Sequence, residues 1–326
     1  MNIQKFSIAA IISLTVLLIS CRDTENNPSK VNFSTAPNAT LAPNATIEVI
    51  TNNQVRYHVL NYGGRWTSTI VESETGITIV DVGINDPGGA IVTSDISKSG
   101  EEIRAYADAI KKPITIIITH PHVDHFVNLN QFKDITVYAE TKNAAALNQD
   151  ASFQQIYGGT ATAVSGSKLI GGFEFHFGNV SGTEAVENGY TYIPSVKAVF
   201  TGDLTAINRH AYIRDYTPLD NTDELSNWIN ALNQMKTQFA GYNYVFVGHV
   251  GYETNVAENF NKSIKYLTDA QGLIKGTKNR IAGGKTSSVQ QVVDELMILY
   301  PTYGDGGLLF ALPNAFFAGD SGAKWF

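Results

Sequence analysis

Residues 114–125 read Ile114-Thr115-Ile116-Ile117-Ile118-Thr119-His120-Pro121-His122-Val123-Asp124-His125. The apolar, β-branched half has the composition of a buried strand. It stops at a hexapeptide that holds three of the chain's seven histidines and an aspartate. Neutral imidazole and carboxylate are the common protein ligands of zinc and similar divalent ions. A rigid strand feeding a tight turn aims several such groups at one point. These twelve residues therefore predict an α/β framework with a metal site at its strand ends.

Two later places repeat the pattern of strand followed by ligand. Phe200-Thr201-Gly202-Asp203 ends one apolar run, and Val245-Phe246-Val247-Gly248-His249 ends another. In layered α/β folds the loops at one end of the strands converge on a crevice, so residues distant in sequence meet there. Upstream, Thr46–Thr51, Val55–Asn61, Thr67–Glu72 and Ile77–Val82 read as short strands of an antiparallel meander, with Asp81-Val82-Gly83 as its closing turn. A helix is expected from near Ser99, with Ser99 and Glu102 as a capping box, Ile103, Tyr106, Ala107 and Ile110 on one face, and Pro113 as its stop. Further strands are expected at 135–139, 168–177, 190–193 and 197–201. Helices are expected at 141–148, 222–235, 255–273 and 286–300.

The ordered set of His-x-His-x-Asp-His, a strand-borne Thr-Gly-Asp and a late Gly-His resembles the metallo-β-lactamase superfamily, over roughly Thr46 to residue 265. The resemblance implies a four-layer αβ/βα sandwich, here with extra C-terminal helices, and a metal site between the edges of its two sheets. It implies that His120 and His122 bind one ion, that Asp124, His125 and His249 bind a second, and that Asp203 bridges both. Two zinc ions are the expected cofactors. The family's third histidine for the first ion is missing. An ungapped alignment puts Glu184 of Ser181-Gly182-Thr183-Glu184 at its position, and a gapped one puts Gly182 there. A carboxylate at that place would favour harder ions such as manganese or iron.

The function so implied is hydrolysis of an ester, lactone, amide (β-lactam) or thioester bond in a small molecule by a metal-bound hydroxide, with Asp124 as the catalytic group beside it. An iron-dependent oxidoreductase on the same fold and a non-catalytic metal-binding lipoprotein are the alternatives. His210, close to Arg209, Tyr212 and Arg214, is a candidate substrate contact. His176 and His58 read as strand residues.

The remaining features bound this picture. The chain has 326 residues, 43% of them hydrophobic and 16% charged, enough for a large core. The net charge is −7 and no basic run is present, which excludes a nucleic-acid partner. Lys5 followed by the apolar stretch Phe6–Ile19 reads as a signal peptide over 1–20. It ends Leu18-Ile19-Ser20-Cys21, resembling a bacterial lipoprotein signal, so Cys21 is expected to be lipidated. That would anchor the chain in the cell envelope, on the periplasmic face or outer surface of a membrane. Residues 21–45, in which Ala-Pro-Asn-Ala-Thr occurs twice, read as a flexible tether. Residues 46–326 then form the folded domain, with a helical extension from about 255.

Overall fold

The β-branched runs after Thr46 fold as an antiparallel meander in the computed structural model, which describes residues 31–63, 66–83, 93–213, 225–274 and 289–304. Its strands are β1 (Thr46–Thr51), β2 (Arg56–Tyr62), β3 (Trp66–Glu72) and β4 (Ile77–Val80). Helix α1 (Thr93–Ala109) crosses over, and β5 (Ile114–Ile117) returns parallel to β4. Next come β6 (Val137–Glu140), α2 (Thr141–Gln149), α3 (Ala151–Ile156) and β7 (Thr162–Val164), both strands again parallel. These strands make a seven-stranded sheet in sequence order.

The second sheet has six strands: β8 (Ser167–Ile170), β9 (Phe173–Ser181), β10 (Glu187–Ile193), β11 (Ala198–Phe200), β12 (Tyr244–Phe246) and β13 (Tyr252–Glu253). Its pairs are antiparallel except β11 and β12, which are parallel because α4 (Ser226–Gln238) lies between them in sequence. Helices α5 (Val256–Ile274) and α6 (Val289–Leu299) follow.

Period-two alternation divides the central strands between two cores. Ile70, Ile116 and Ile118 face α1, whose Ile103, Tyr106, Ala107 and Ile110 are buried as the helical spacing predicts. Tyr57, Val71 and Ile117 turn inward to meet Phe175, Phe200 and Phe246 of the second sheet. Phe200 and Phe246 stack with centroids 4.9 Å apart, a contact worth about 0.5–1.5 kcal/mol beyond area burial. Val199, Val245 and Val247 face outward onto α4, α5 and α6. The result is the four-layer αβ/βα order. Strands β4 to β6, and likewise β11 and β12, present their C-terminal ends together. The site loops start there.

Several sequence readings need correction. Helix α1 begins at Thr93, so Ser99 and Glu102 lie inside it and not at its cap. Their side chains are instead used across elements, accepting hydrogen bonds from Asn128 (3.2 Å) and Asn44 (2.5 Å). The run 168–177 is two strands, split at Gly171 and Gly172, whose φ values of 54° and 91° suit glycine. Strands β7 and β13 and helix α3 were not foreseen.

The tether is also shorter than expected. Val31 N donates to Asn53 O (2.8 Å), Arg56 lies over the Phe33 ring, and Ala42 is fully buried. Residues 31–45 thus belong to the folded unit. The leader, Cys21 and the tail from residue 305 lie outside the described residues. Among the described residues no helix is long and apolar enough to cross a membrane.

Candidate metal centre

The hexapeptide leaves β5 in an irregular turn and closes as a short 3₁₀ turn, Val123–His125. The end of β4 packs on this turn. Val82 N donates to His125 O (3.0 Å) and Asn128 N donates to Val82 O (3.0 Å). A Cβ on Gly83 would fall 1.4 Å from the Asp124 carbonyl oxygen, so only glycine permits the approach. Asp203 follows β11 on its own short turn, Gly202–Leu204. His249 follows β12. Gly248 N donates to Gly202 O and Gly248 O accepts from Thr67 N, both at 3.0 Å, so the two sheets are joined beside the site. A Cβ on Gly248 would lie 2.3 Å from Asp203 Oδ1 and 2.5 Å from His125 Cε1. A side chain at position 248 would therefore push both ligands out of place.

Two groups of donor atoms result. His120, His122 and Glu184 form one; Asp124, His125, Asp203 and His249 form the other, with the ligand atoms of each group within 4.8 Å of one another, so Asp203, which the resemblance implied would bridge two ions, falls in the second group alone. In the first, Glu184 lies 2.8 Å from His122 Nδ1 and 3.4 Å from His120 Nε2. In the second, His249 Nε2 lies 2.9 Å from Asp203 Oδ2 and 3.5 Å from Asp124 Oδ2, and His125 Nε2 lies 3.5 Å from Asp203 Oδ2. The groups adjoin, because the His120 and His125 rings are 4.0 Å apart.

Glu184 reaches the histidines from a folded loop. Gly182, at φ 61°, turns the chain, and Gly182 N donates to Val186 O (2.7 Å). Asn227 of α4 donates to the carbonyls of Ser181 and Gly182, and Asn188 donates to Glu184 Oε2 (3.3 Å). Gly182 is thus a hinge of the loop, and the Glu184 carboxylate is the group delivered to His120 and His122.

Asp81 is the residue that sequence reading missed. It takes the left-handed region at φ 57°, and its carboxylate accepts from Thr119 N (2.8 Å) and Thr119 Oγ1 (2.8 Å) and pairs with His125 Nδ1 (2.9 Å). Thr119 Oγ1 also lies 3.0 Å from His120 Nδ1. With Nδ1 occupied, Nε2 of each histidine is turned toward the donor groups. Both Nε2 atoms are buried and make no hydrogen bond, their neighbouring carboxylate oxygens standing beyond the usual N–H···O range. Buried polar atoms are normally satisfied. Orphaned imidazole nitrogens beside carboxylates, with their far sides held by Asp81 and Thr119, fit a metal centre with an orienting outer shell.

The electrostatics divide the histidines. Burial, reinforced by His125 and His122, holds His120 well below its ordinary value of 6.5, leaving it neutral with a free lone pair. Burial pulls His125 the same way, but the charges of Asp203, Asp81 and Asp124 outweigh it and raise His125 well above 6.5. Burial alone would raise Asp203, yet His249 and His125 hold it well below the usual carboxylate range. Burial pushes the Glu184 carboxyl up against the pull of His122.

His210 is in neither group. It is buried, its Nδ1 lies 3.1 Å from the Tyr266 hydroxyl, and its ring packs on Tyr303. That enclosure makes it a post between the 205–213 loop and the C-terminal helices, contrary to the open cleft position expected for a substrate contact. Tyr212, two residues on, meets the His122 ring edge-on at 5.6 Å. His176 stacks on Tyr192, and His58 is buried between Tyr106 and Glu72, both as strand residues.

A model of the metallo-β-lactamase superfamily matches residues 63–249, more than half of the chain. The chain belongs to this superfamily. Among solved structures, it is similar to the metallo-β-lactamase of Pontibacter korlensis, at 18% identity over 68% of this chain and 99% of that one, with a TM-score of 0.48. It is similar to the FIM-1 metallo-β-lactamase of Pseudomonas aeruginosa in its mono-zinc form, at 19% identity over 70% and 96%, with a TM-score of 0.50. VMB-1 matches at 15% identity over 69% and 97%, also at 0.50. A search of the curated proteins finds no match. At identities this low, the two matches with a TM-score of 0.50 speak for the fold alone and not for a substrate. The His/Asp/Glu groups themselves point to use of a divalent metal.

Proposed function

We propose that the chain is a divalent-metal-dependent hydrolase of small molecules carrying an ester, lactone, β-lactam amide or thioester bond. The observation that carries this reading is the meeting of two adjoining donor groups at the strand ends of both sheets, with buried imidazole nitrogens left unsatisfied between them. His120, His122 and Glu184 would hold one ion, and Asp124, His125, Asp203 and His249 the other. Bound there, paired divalent ions supply a water acidic enough to attack at neutral pH and polarise the oxygen of the scissile bond.

The chain's own groups do the rest. His122, Asp124 and Asp203 are the partly open members, at 20%, 18% and 15% side-chain exposure, and they mark the side from which substrate enters. Asp124 Oδ2 orients the attacking water and accepts its proton. Asp203 stays ionised at neutral pH, and so contributes a fixed negative charge between the histidines. The ring of Tyr212 walls the entrance beside His122. Asp81 and Thr119 hold the His125 and His120 rings so that no reorientation is needed during turnover.

The test is a panel of lactones, β-lactams, thioesters and simple esters offered to the purified full-length chain. Hydrolysis of at least one class, abolished by chelator and restored by a divalent ion, is expected. Asp124→Asn should keep the fold and lower turnover by roughly 10²-fold, the scale of a lost acid–base group. A metal-loaded protein inert on every class, but showing a reversible one-electron couple with iron, would replace this reading with an oxidoreductase. We further propose export and lipidation at Cys21, on the pattern Leu18-Ile19-Ser20-Cys21. Mass spectrometry of the mature N-terminus would then find an acylated Cys21 as first residue. An intact Met1 would reject it.

A further inference from the structure

Glu184 is 2% exposed, and nothing about its loop requires an acid there. Backbone bonds, Gly182 and Asn227 shape the loop without it. A carboxylate taken out of water is costly unless paired with charge or metal. Here it is aimed between two imidazoles, with Asn188 and Thr183 behind it. The first group therefore offers two nitrogens and a carboxylate, and the second offers two nitrogens and two carboxylates. Neither has three imidazoles. Imidazole suits zinc, copper and nickel, whereas carboxylate suits manganese and other hard cations.

We propose that the Glu184 carboxylate sets the ion preference of the His120–His122–Glu184 group, moving it from zinc toward manganese(II) relative to a histidine at the same place. This rests on the two-ion reading above and deepens it. Zinc remains the tighter binder in absolute terms, as the general order of divalent affinities requires. The gap between the two is what Glu184 narrows, so the ion loaded follows supply more than intrinsic affinity.

The experiment uses the full-length chain, stripped with chelator and titrated separately with Zn²⁺ and Mn²⁺ in competition with an indicator. Wild type should take up two ions. Glu184→His should widen the zinc-to-manganese affinity ratio of one site by at least about tenfold, the lower end of what even an outer-shell partner is worth. Glu184→Gln should drop manganese uptake from two ions to one while leaving the circular dichroism unchanged. An unchanged ratio in Glu184→His, or two tightly held manganese ions in Glu184→Gln, would overturn the proposal. Should either variant fail to fold, X-ray absorption of the wild-type di-manganese protein decides by itself. Two imidazoles per ion support the donor set, and three at either ion contradict it. None of these readouts uses hydrolysis. A protein with this selectivity that cleaves nothing would sink the hydrolase reading alone, and an active one with an unmoved ratio would sink only this one.

Discussion

The Asp81 carboxylate shows most economically how a single residue shapes the centre. It takes three partners at once: the Thr119 amide, the Thr119 hydroxyl and the His125 ring. Asparagine is its closest isostere and tolerates the left-handed backbone, so Asp81→Asn should fold. It can no longer accept three bonds with a charged carboxylate, and the His125 ring loses its anchor. Metal affinity of the second group should fall about 10–100-fold, as for other outer-shell losses. A variant whose titration curve overlays wild type would show that Asp81 only closes a turn. His125 supplies a second expectation at this scale. Its raised pKa means that it carries a proton until well above 6.5, and a metal must displace that proton. Uptake should release protons, and affinity should weaken as pH is lowered through that raised value. Calorimetry in buffers of different ionisation enthalpy reads the release directly, and buffer-independent heats would contradict it.

At the scale of elements, α4 ties the two halves of the site. Trp228 is buried, and its Nε1 donates to Leu204 O (3.1 Å), the end of the turn that carries Asp203. From the same helix, Asn227 grips the loop that carries Glu184. Trp228→Phe should cost about 0.5–1.5 kcal/mol for the lost bond, together with a loss of packed volume, and should loosen metal binding as well. Denaturant unfolding and metal titration would read the two effects, and stability loss with unaltered metal affinity would detach α4 from the site. What was legible in the sequence follows from this organisation. The hexapeptide could be read because its ligands are local and the strand before them is apolar. The helices α1, α4 and α5 could be read from their spacing. The start of α1 could not, since Thr93-Ser94-Asp95-Ile96-Ser97-Lys98 shows no apolar period. Glu184 stayed ambiguous against Gly182 because the loop's direction depends on Asn227, 43 positions on. Asp81 looked like a turn residue because its partner His125 lies 44 positions away. Its signal was there, in an acidic residue at the end of a strand beside β5.

On the scale of the molecule, the two ends of the sheets do different work. The ends that carry Asp81, His120 and Asp203 hold the chemistry. The opposite end holds a charged knot in which the buried Glu72 and His58 meet the partly exposed Lys112 and Arg56. Burial would raise Glu72, but bonds from His58 and Lys112 and their charges hold it below 4.5. A carboxyl depressed in the folded state adds stability that is complete above its unfolded pKa, near 4.5, and that drains away as pH falls through the lower folded value. Glu72→Gln should therefore weaken the protein at neutral pH and flatten its acid unfolding in that window. An acid profile identical to wild type would show that the knot is neutral to folding. Loaded metal should add to stability as well, by about 2.7 kcal/mol at a free concentration 100 times its Kd.

The central claim is that the ends of both sheets together hold two divalent ions. Its most direct test is a crystal of the full-length chain grown with zinc or manganese, with anomalous scattering recorded at the absorption edge of that metal. Two peaks are predicted, one bounded by His120, His122 and Glu184, the other by Asp124, His125, Asp203 and His249. A map with no peak among these side chains, or with a single peak and Glu184 turned away from His120 and His122, would contradict the account.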